Sequence, residues 1–285
     1  MFSEPELSTV RRAYAKQVTF AGGVTDRRIE AALANLRREA FLGEGPWALM
    51  RVPGGYQTTP TADPVYLYQD TLVGIDPTKG LNNGQPSFLA FLVSLGQLQE
   101  GEHAVHVGAG VGYYTAVIAE LVGATGRVTA IEFEPDLARR AAANLVALPQ
   151  VQVIEGDGAD VAFDSADVIY VNAGAAQPAE SWLDGLKDGG RLVLPLTVSA
   201  QVDGHAITRG AIFLIKRNGN DYFAHCVSGA AIYPCVGMRD PEAEASLSGA
   251  FQRGGWDKVT RLYRTADIAE DRCWVRAKGW VLAYS

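Results

Sequence analysis

Cysteine is scarce in this 285-residue chain. Its three cysteines, Cys226, Cys235 and Cys273, lie too far apart for a disulfide framework or a CxxC metal site. The four histidines are scattered and none belongs to an HExxH pair, so no metal is expected. No apolar run approaches the roughly 20 residues that cross a bilayer. The opening residues carry charge throughout (Glu4, Glu6, Arg11, Arg12, Lys16) and lack a signal-peptide core. The expectation is a cytoplasmic protein without membrane contact. Basic clusters are missing too: the densest are pairs such as Arg27-Arg28 and Arg37-Arg38, and the formal net charge is −7. No nucleic-acid partner is expected, because phosphate neutralisation supplies much of the affinity of such interfaces.

What is present is ordinary globular material, 48% hydrophobic and 20% charged. Three parts are distinguishable. Residues 1–87 begin with helical spacing (Leu7, Val10, Tyr14, Val18, then Ile29, Ala32, Leu33, Leu36), with Thr25 as the expected N-cap of the second helix. From 43 to 86 proline, glycine and aromatics (Trp47, Tyr56, Tyr66, Tyr68) mix without periodicity. That composition predicts a loop layer folded over a functional site. Residues 88–237 alternate. Strands are predicted at "HAVHV" (103–107), "RVTAIEF" (127–133), "VQVIEG" (151–156), "ADVIYVNA" (166–173) and "GRLVLPL" (190–196). Helices fall between them at 88–98, 113–122, 135–147 and 178–187. Alternation of this kind implies an α/β fold with a doubly wound, mainly parallel sheet. "GAIFLIKR", "NGND" and "YFAHCVSG" then read as an antiparallel edge hairpin. Residues 238–285 form a C-terminal extension in which "RCWVRAKGWVLAYS" is a candidate strand.

The most informative stretch is "HVGAGVGYY", residues 106–114: a strand end, a glycine-rich turn and a helix start. In doubly wound sheets, ligands bind beyond the carboxyl ends of the strands. By itself the turn also fits a tight strand-to-helix connection holding no ligand. Spacing separates the nucleotide cofactors. A dinucleotide site wants a small third residue in Gly-x-Gly-x-x-Gly/Ala, but counting from Gly108 that position is Tyr113, and the third glycine comes one place early at Gly112. Gly-x-Gly-x-Gly is the form found in methyltransferases that use S-adenosyl-L-methionine. Glu132, ending the second strand, can accept both hydroxyls of an adenosine ribose, although NAD enzymes place an acid there too. Asp157, after the third strand, can accept the adenine amino group, and Phe133 can stack on the base. The alternatives, a surface Glu, an N-capping Asp and a packing Phe, stay open for each residue alone.

The run from about 20 to 237 resembles the protein-L-isoaspartate O-methyltransferase family. The resemblance is carried by "GGVTDRRIEAALANLRREAFL", "YQD" at 68–70, "QPSFLAFLVSLGQLQEGEHAVHVGAGVGYYTAVIAELVG", "GRVTAIEFEPDLARRAAANL", "VIEGDGA" and "LKDGGRLVLPL". It implies a Rossmann-like methyltransferase sheet, with Gly108, Gly110 and Gly112 at the methionine end of the cofactor, Glu132 at the ribose, and Asp157 with Gly158 at the adenine. His106, Ala109, Tyr113, Phe133 and Asn172 complete the expected cofactor shell. Asn82, Asn83, Gly84 and Gln85 fall where the family has its substrate segment. Departures cluster near the methyl-transfer centre. His106 replaces a family Glu or Asp, Gly84 replaces the family's serine, and the segment after the fourth strand reads Asn172-Ala173-Gly174-Ala175.

A methyl acceptor that is a carboxylate is already ionised at neutral pH and needs no general base. An amine or hydroxyl more often needs one; His106 is a candidate, but its place before the glycine turn better suits a hydrogen bond to cofactor or backbone without proton transfer. No residue is assigned a catalytic role. The expected activity is methyl transfer to a carboxylate of a peptide, protein or small molecule. A non-catalytic cofactor-binding module and, less favoured, an NAD-dependent oxidoreductase are the competing readings.

Overall fold

A computed structural model describes residues 2–76, 78–202, 205–265 and 267–284. In chain order the elements begin with α1 (Glu4–Ala21), α2 (Arg27–Asn35), α3 (Arg38–Leu42), β1 (Ala48–Arg51), β2 (Gly55–Thr58), β3 (Val73–Asp76), β4 (Leu81–Asn82) and α4 (Pro86–Leu95). β5 (His103–Val107), α5 (Tyr113–Val122), β6 (Arg127–Glu132), α6 (Pro135–Asn144), β7 (Val151–Glu155), β8 (Ala166–Val171) and α7 (Glu180–Gly185) follow. The chain continues with β9 (Leu186–Val202), β10 (His205–Asn218), β11 (Asp221–Ile232), α8 (Pro241–Arg253), β12 (Arg261–Tyr263), β13 (Cys273–Ala277) and β14 (Trp280–Ala283). These elements form two compact units. One takes the chain up to Glu102 together with Ala109–Glu155; the other takes His103–Gly108 together with the chain from Gly156 onward. Neither sequence boundary, 87 or 237, coincides with that division.

In the first unit the apolar stripes of α1 (Leu7, Tyr14, Val18) and α2 (Ile29, Leu33) are buried, as their spacing predicts. The N-cap of α2 is Asp26, not Thr25. Its carboxylate accepts the Arg28 amide at 2.9 Å, which the Thr25 hydroxyl sits one residue too early to do. α5 is buried almost all round, from Tyr113 to Val122. Truncating a fully buried member such as Ile118 to alanine costs about 2–5 kcal/mol. β6 and β7 pair in parallel from Val128↔Val151 to Glu132↔Glu155.

Residues 43–86 depart from the expected loop layer. They carry a four-stranded sheet in the order β2-β1-β3-β4, with β1–β2, β1–β3 and β3–β4 antiparallel. The fully buried Arg38 fastens the chain between these strands. Its guanidinium donates to the carbonyls of Leu67 at 2.6 Å and Gln69 at 3.3 Å.

In the second unit β5, β8 and β9 are parallel neighbours, with Val105↔Ile169 and Ile169↔Leu192 in register. Every residue of β5 is buried, as a strand covered on both faces requires. The predicted hairpin is β10–β11, closed where Asn218 pairs with Asp221, and Gly219 supplies the positive φ (+59°) of a two-residue turn. The antiparallel part is larger than one hairpin. β9 pairs β10, and the tail adds β12, β14 and β13 to the edge of β11, so "RCWVRAKGWVLAYS" supplies two strands. Trp274 and Val281 bury fully in that addition.

Candidate functional site

The glycine turn has the backbone that glycine alone adopts without strain. φ is +79° at Gly108, +58° at Gly110 and +90° at Gly112. Two of these glycines do different work within the first unit. A Cβ on Gly110 would meet no atom within 4 Å, leaving that face of the turn open to a ligand. A Cβ on Gly112 would stand 2.8 Å from Leu145 Cδ1, so this glycine lets α5 lie close to the end of α6. Close helix packing is what the third glycine of a dinucleotide turn provides one residue later. Here Gly112 takes that task, and Tyr113 begins the helix.

Glu132 closes over this turn. Its Oε2 accepts the Gly110 amide at 2.6 Å and its Oε1 accepts the Glu134 amide at 3.0 Å. A carboxylate offers about four acceptor positions, so capacity for a ribose hydroxyl remains beyond these amides. Burial pushes the Glu132 carboxyl up, partly offset by the amides of Glu134, Gly110 and Phe133. Phe133, next along the chain, is 46% exposed, so its ring is free to carry a base.

Two residues expected in the cofactor shell have buried side chains. His106 is fully buried, stacked on Tyr170 with ring centroids 5.0 Å apart, and burial pushes its imidazole down to about 3. Tyr113 is likewise 1% exposed; its ring packs edge-on against Phe41 and Tyr114. Both belong to the core. Ala109 is nearly buried, its amide bonded to the Ile131 carbonyl at 3.2 Å.

Asn172 in the second unit is tied to the strand exits. Its amide donates to the Val107 carbonyl at 2.8 Å, its Oδ1 accepts the Tyr170 hydroxyl at 3.1 Å, and its Nδ2 donates to the Gly108 carbonyl at 3.4 Å. Asp157 caps its own turn, Oδ1 accepting the Ala159 amide at 2.9 Å. The carboxylate stays half-exposed. Gly158 is buried, its carbonyl taken by the Trp182 indole N–H at 2.7 Å.

In the first unit the predicted substrate segment is a shaped turn. Asn82 Oδ1 accepts the Gly84 amide at 2.8 Å, and Asn83 is buried with its amide on the Val73 carbonyl at 2.8 Å. Gly84 holds φ +71°, and a Cβ there would overlap the Leu89 side chain, so serine is disfavoured by backbone and packing together. Gln85 caps α4 and donates to Asp70 at 3.2 Å. Asp70 also accepts the Ser87 amide at 2.8 Å and the Ser87 hydroxyl at 2.6 Å. Asp70 is thus the clamp of this segment. Spacing alone does not reveal that role, since its partners lie 15 and 17 residues away. A cavity of about 600 Å³ in the first unit is lined by residues that include Ile75, Lys79, Leu81, Glu134, Leu137 and Arg140. Among the described residues no His/Cys/Asp/Glu group is placed to hold a metal, and no helix is long and apolar enough to cross a membrane.

Residues 12–233 match the protein family described as Protein-L-isoaspartate(D-aspartate) O-methyltransferase. The chain is 36% identical over 180 residues to protein-L-isoaspartate O-methyltransferase 2 of Archaeoglobus fulgidus, covering 62% of this chain and 81% of that one. Against protein-L-isoaspartate O-methyltransferase of Methanococcus aeolicus it is 31% identical over 220 residues, covering 75% and 96%. Among solved structures, a protein-L-isoaspartate O-methyltransferase aligns with TM-score 0.62 at 22% identity, over 84% of this chain and 69% of that one. A putative member from Plasmodium falciparum, in complex with S-adenosyl-L-homocysteine, aligns with TM-score 0.59 at 18% identity, over 79% and 97%. The family match and these relatives make the chain a methyltransferase dependent on S-adenosyl-L-methionine, in place of the oxidoreductase reading. More narrowly, the chain belongs to the protein-L-isoaspartate O-methyltransferase family.

Proposed function

We propose that the protein methylates a carboxylate on a peptide or protein, the side-chain isomer of aspartate being the leading acceptor. Burial of His106 carries this reading. The candidate base at the head of the glycine turn is closed from solvent, and burial leaves its imidazole too weakly basic to take up a proton at neutral pH. An acceptor must then arrive as a nucleophile. A carboxylate, with a reference pKa near 4, does so at about pH 7, whereas an amine does not.

When bound, S-adenosyl-L-methionine supplies a methyl group on a positively charged sulfur. The residues described fit it. Glu132 is the acceptor for the ribose hydroxyls, Asp157 for the adenine amino group, and Phe133 is the platform for the base. The open backbone at Gly110, with Gly108 and Asn172, takes the methionine end. Asn82 to Gln85, clamped by Asp70, orient the acceptor. Alignment at about 3–3.5 Å is the protein's main contribution to an in-line displacement.

Transfer of labelled methyl from S-adenosyl-L-methionine tests the reading, with an isoaspartyl peptide and its normal aspartyl isomer as acceptors. The expected product is a base-labile ester on the isoaspartyl peptide alone. Base-stable label, or none on the isoaspartyl peptide, refutes it.

A further inference from the structure

The chain past residue 233, where the family match ends, returns to the residue assigned to adenine. After β11, Tyr233 to Arg239 runs beside the exit of β8 and is bonded to it along its length. The Gly174 amide donates to the Tyr233 carbonyl at 2.7 Å, the Cys235 amide to the Gly174 carbonyl at 2.9 Å, and the Ala176 amide to the Met238 carbonyl at 2.8 Å. The Arg239 guanidinium adds bonds to the carbonyls of Gly174 at 3.2 Å and Thr197 at 3.0 Å, and pairs with Glu244 at 2.6 Å. This segment has little room to shift.

Gly237 lies in its middle. A Cβ built there would fall inside the carboxylate of Asp157: its three nearest atoms are Oδ2, Cγ and Oδ1 of that residue. The carboxylate is thus held between the Ala159 amide, which Oδ1 accepts at 2.9 Å, and the bare backbone of Gly237. Any side chain at 237 requires the carboxylate to rotate away, because the backbone opposite is fixed by the bonds just described.

We infer that Gly237, outside the matched family region, is a positioning residue for the cofactor: its missing side chain is the space in which the Asp157 carboxylate stands to accept the adenine amino group. The segment after β11 thereby supplies one wall of the adenine end. The inference rests on the assignment of Asp157 to adenine made above.

The test is S-adenosyl-L-homocysteine affinity by calorimetry on the full chain and three variants: Asp157→Ala, Gly237→Ala and the double substitution. Loss of one hydrogen bond to a charged group weakens binding on the order of 10-fold. Asp157→Ala and Gly237→Ala should each show that loss. The double variant should bind no more weakly than Asp157→Ala, because the atoms that the Gly237→Ala methyl would meet are gone. In turnover the Gly237→Ala effect should sit in KM for S-adenosyl-L-methionine, with kcat at saturation unchanged. If Gly237→Ala fails to fold, a folded double variant with the Asp157→Ala affinity still supports the inference, and an unfolded double variant overturns it. Additive losses overturn it, as does wild-type affinity in Gly237→Ala. If Asp157→Ala itself binds as wild type, the adenine assignment fails, and the inference falls with it.

Discussion

Restoring the family's serine at position 84 should damage this protein. Gly84 sits at φ +71°, with Leu89 filling the space a side chain needs. A non-glycine residue in a left-handed conformation costs about 1–2 kcal/mol. Leu89 is 3% exposed, so its side chain moves only by repacking neighbours. Overpacking of that kind adds about 1–3 kcal/mol, for a total of about 2–5 kcal/mol if the two effects add. In a chain of this size the melting temperature should fall by roughly 3–8 °C. Thermal and urea unfolding of Gly84→Ser and Gly84→Ala measure the loss, which should be similar for both because the Cβ is its source. Displacing the Asn82–Gln85 turn should also lower kcat/KM for an isoaspartyl peptide. A Gly84→Ser variant as stable as wild type and more active would refute the reasoning.

Glu132→Ala should weaken S-adenosyl-L-homocysteine binding at least 10-fold by calorimetry, at about 1.5–3 kcal/mol per hydrogen bond to a charged group. Its carboxyl is pushed up by burial, so affinity in the wild type should begin to fall at a higher pH than a solvated glutamate would give. His106 has a folded value of about 3 against 6.5 for an unperturbed imidazole. Its neutral form therefore contributes stability that is complete above about pH 6.5 and is lost as pH falls toward 3, at about 1.4 kcal/mol per pH unit. Urea unfolding across that range should show a shallower acid limb for His106→Phe. Asp70→Asn should raise KM for the peptide acceptor several-fold in steady-state assays. Its S-adenosyl-L-homocysteine affinity should not change, since Asp70 clamps only Gln85 and Ser87.

The sequence was most legible where hydrophobic pattern and turn chemistry agree. "HAVHV" is β5 without a residue's error, α5 occupies 113–122 as predicted, and the Asn218–Asp221 turn closes its hairpin. The four strands within 43–86 were not legible. They are four, four, four and two residues long, too short for a period of two to show among prolines and glycines. His106 shows a limit of another kind. In a strand buried on both faces, alternation cannot tell a residue that faces a ligand from one that faces the core. Asp70 and Gly237 matter through partners distant in the chain, a relation that only the folded backbone displays.

The account turns on an acceptor that arrives ionised at a site with no working base. The direct measurement is kcat against pH for an isoaspartyl peptide at saturating S-adenosyl-L-methionine. The account predicts a flat profile from about pH 6 to 9, above the carboxylate's own titration. A rising limb with a midpoint near 6.5 to 7 would mean that a base accepts a proton in the rate-limiting step, and would contradict it.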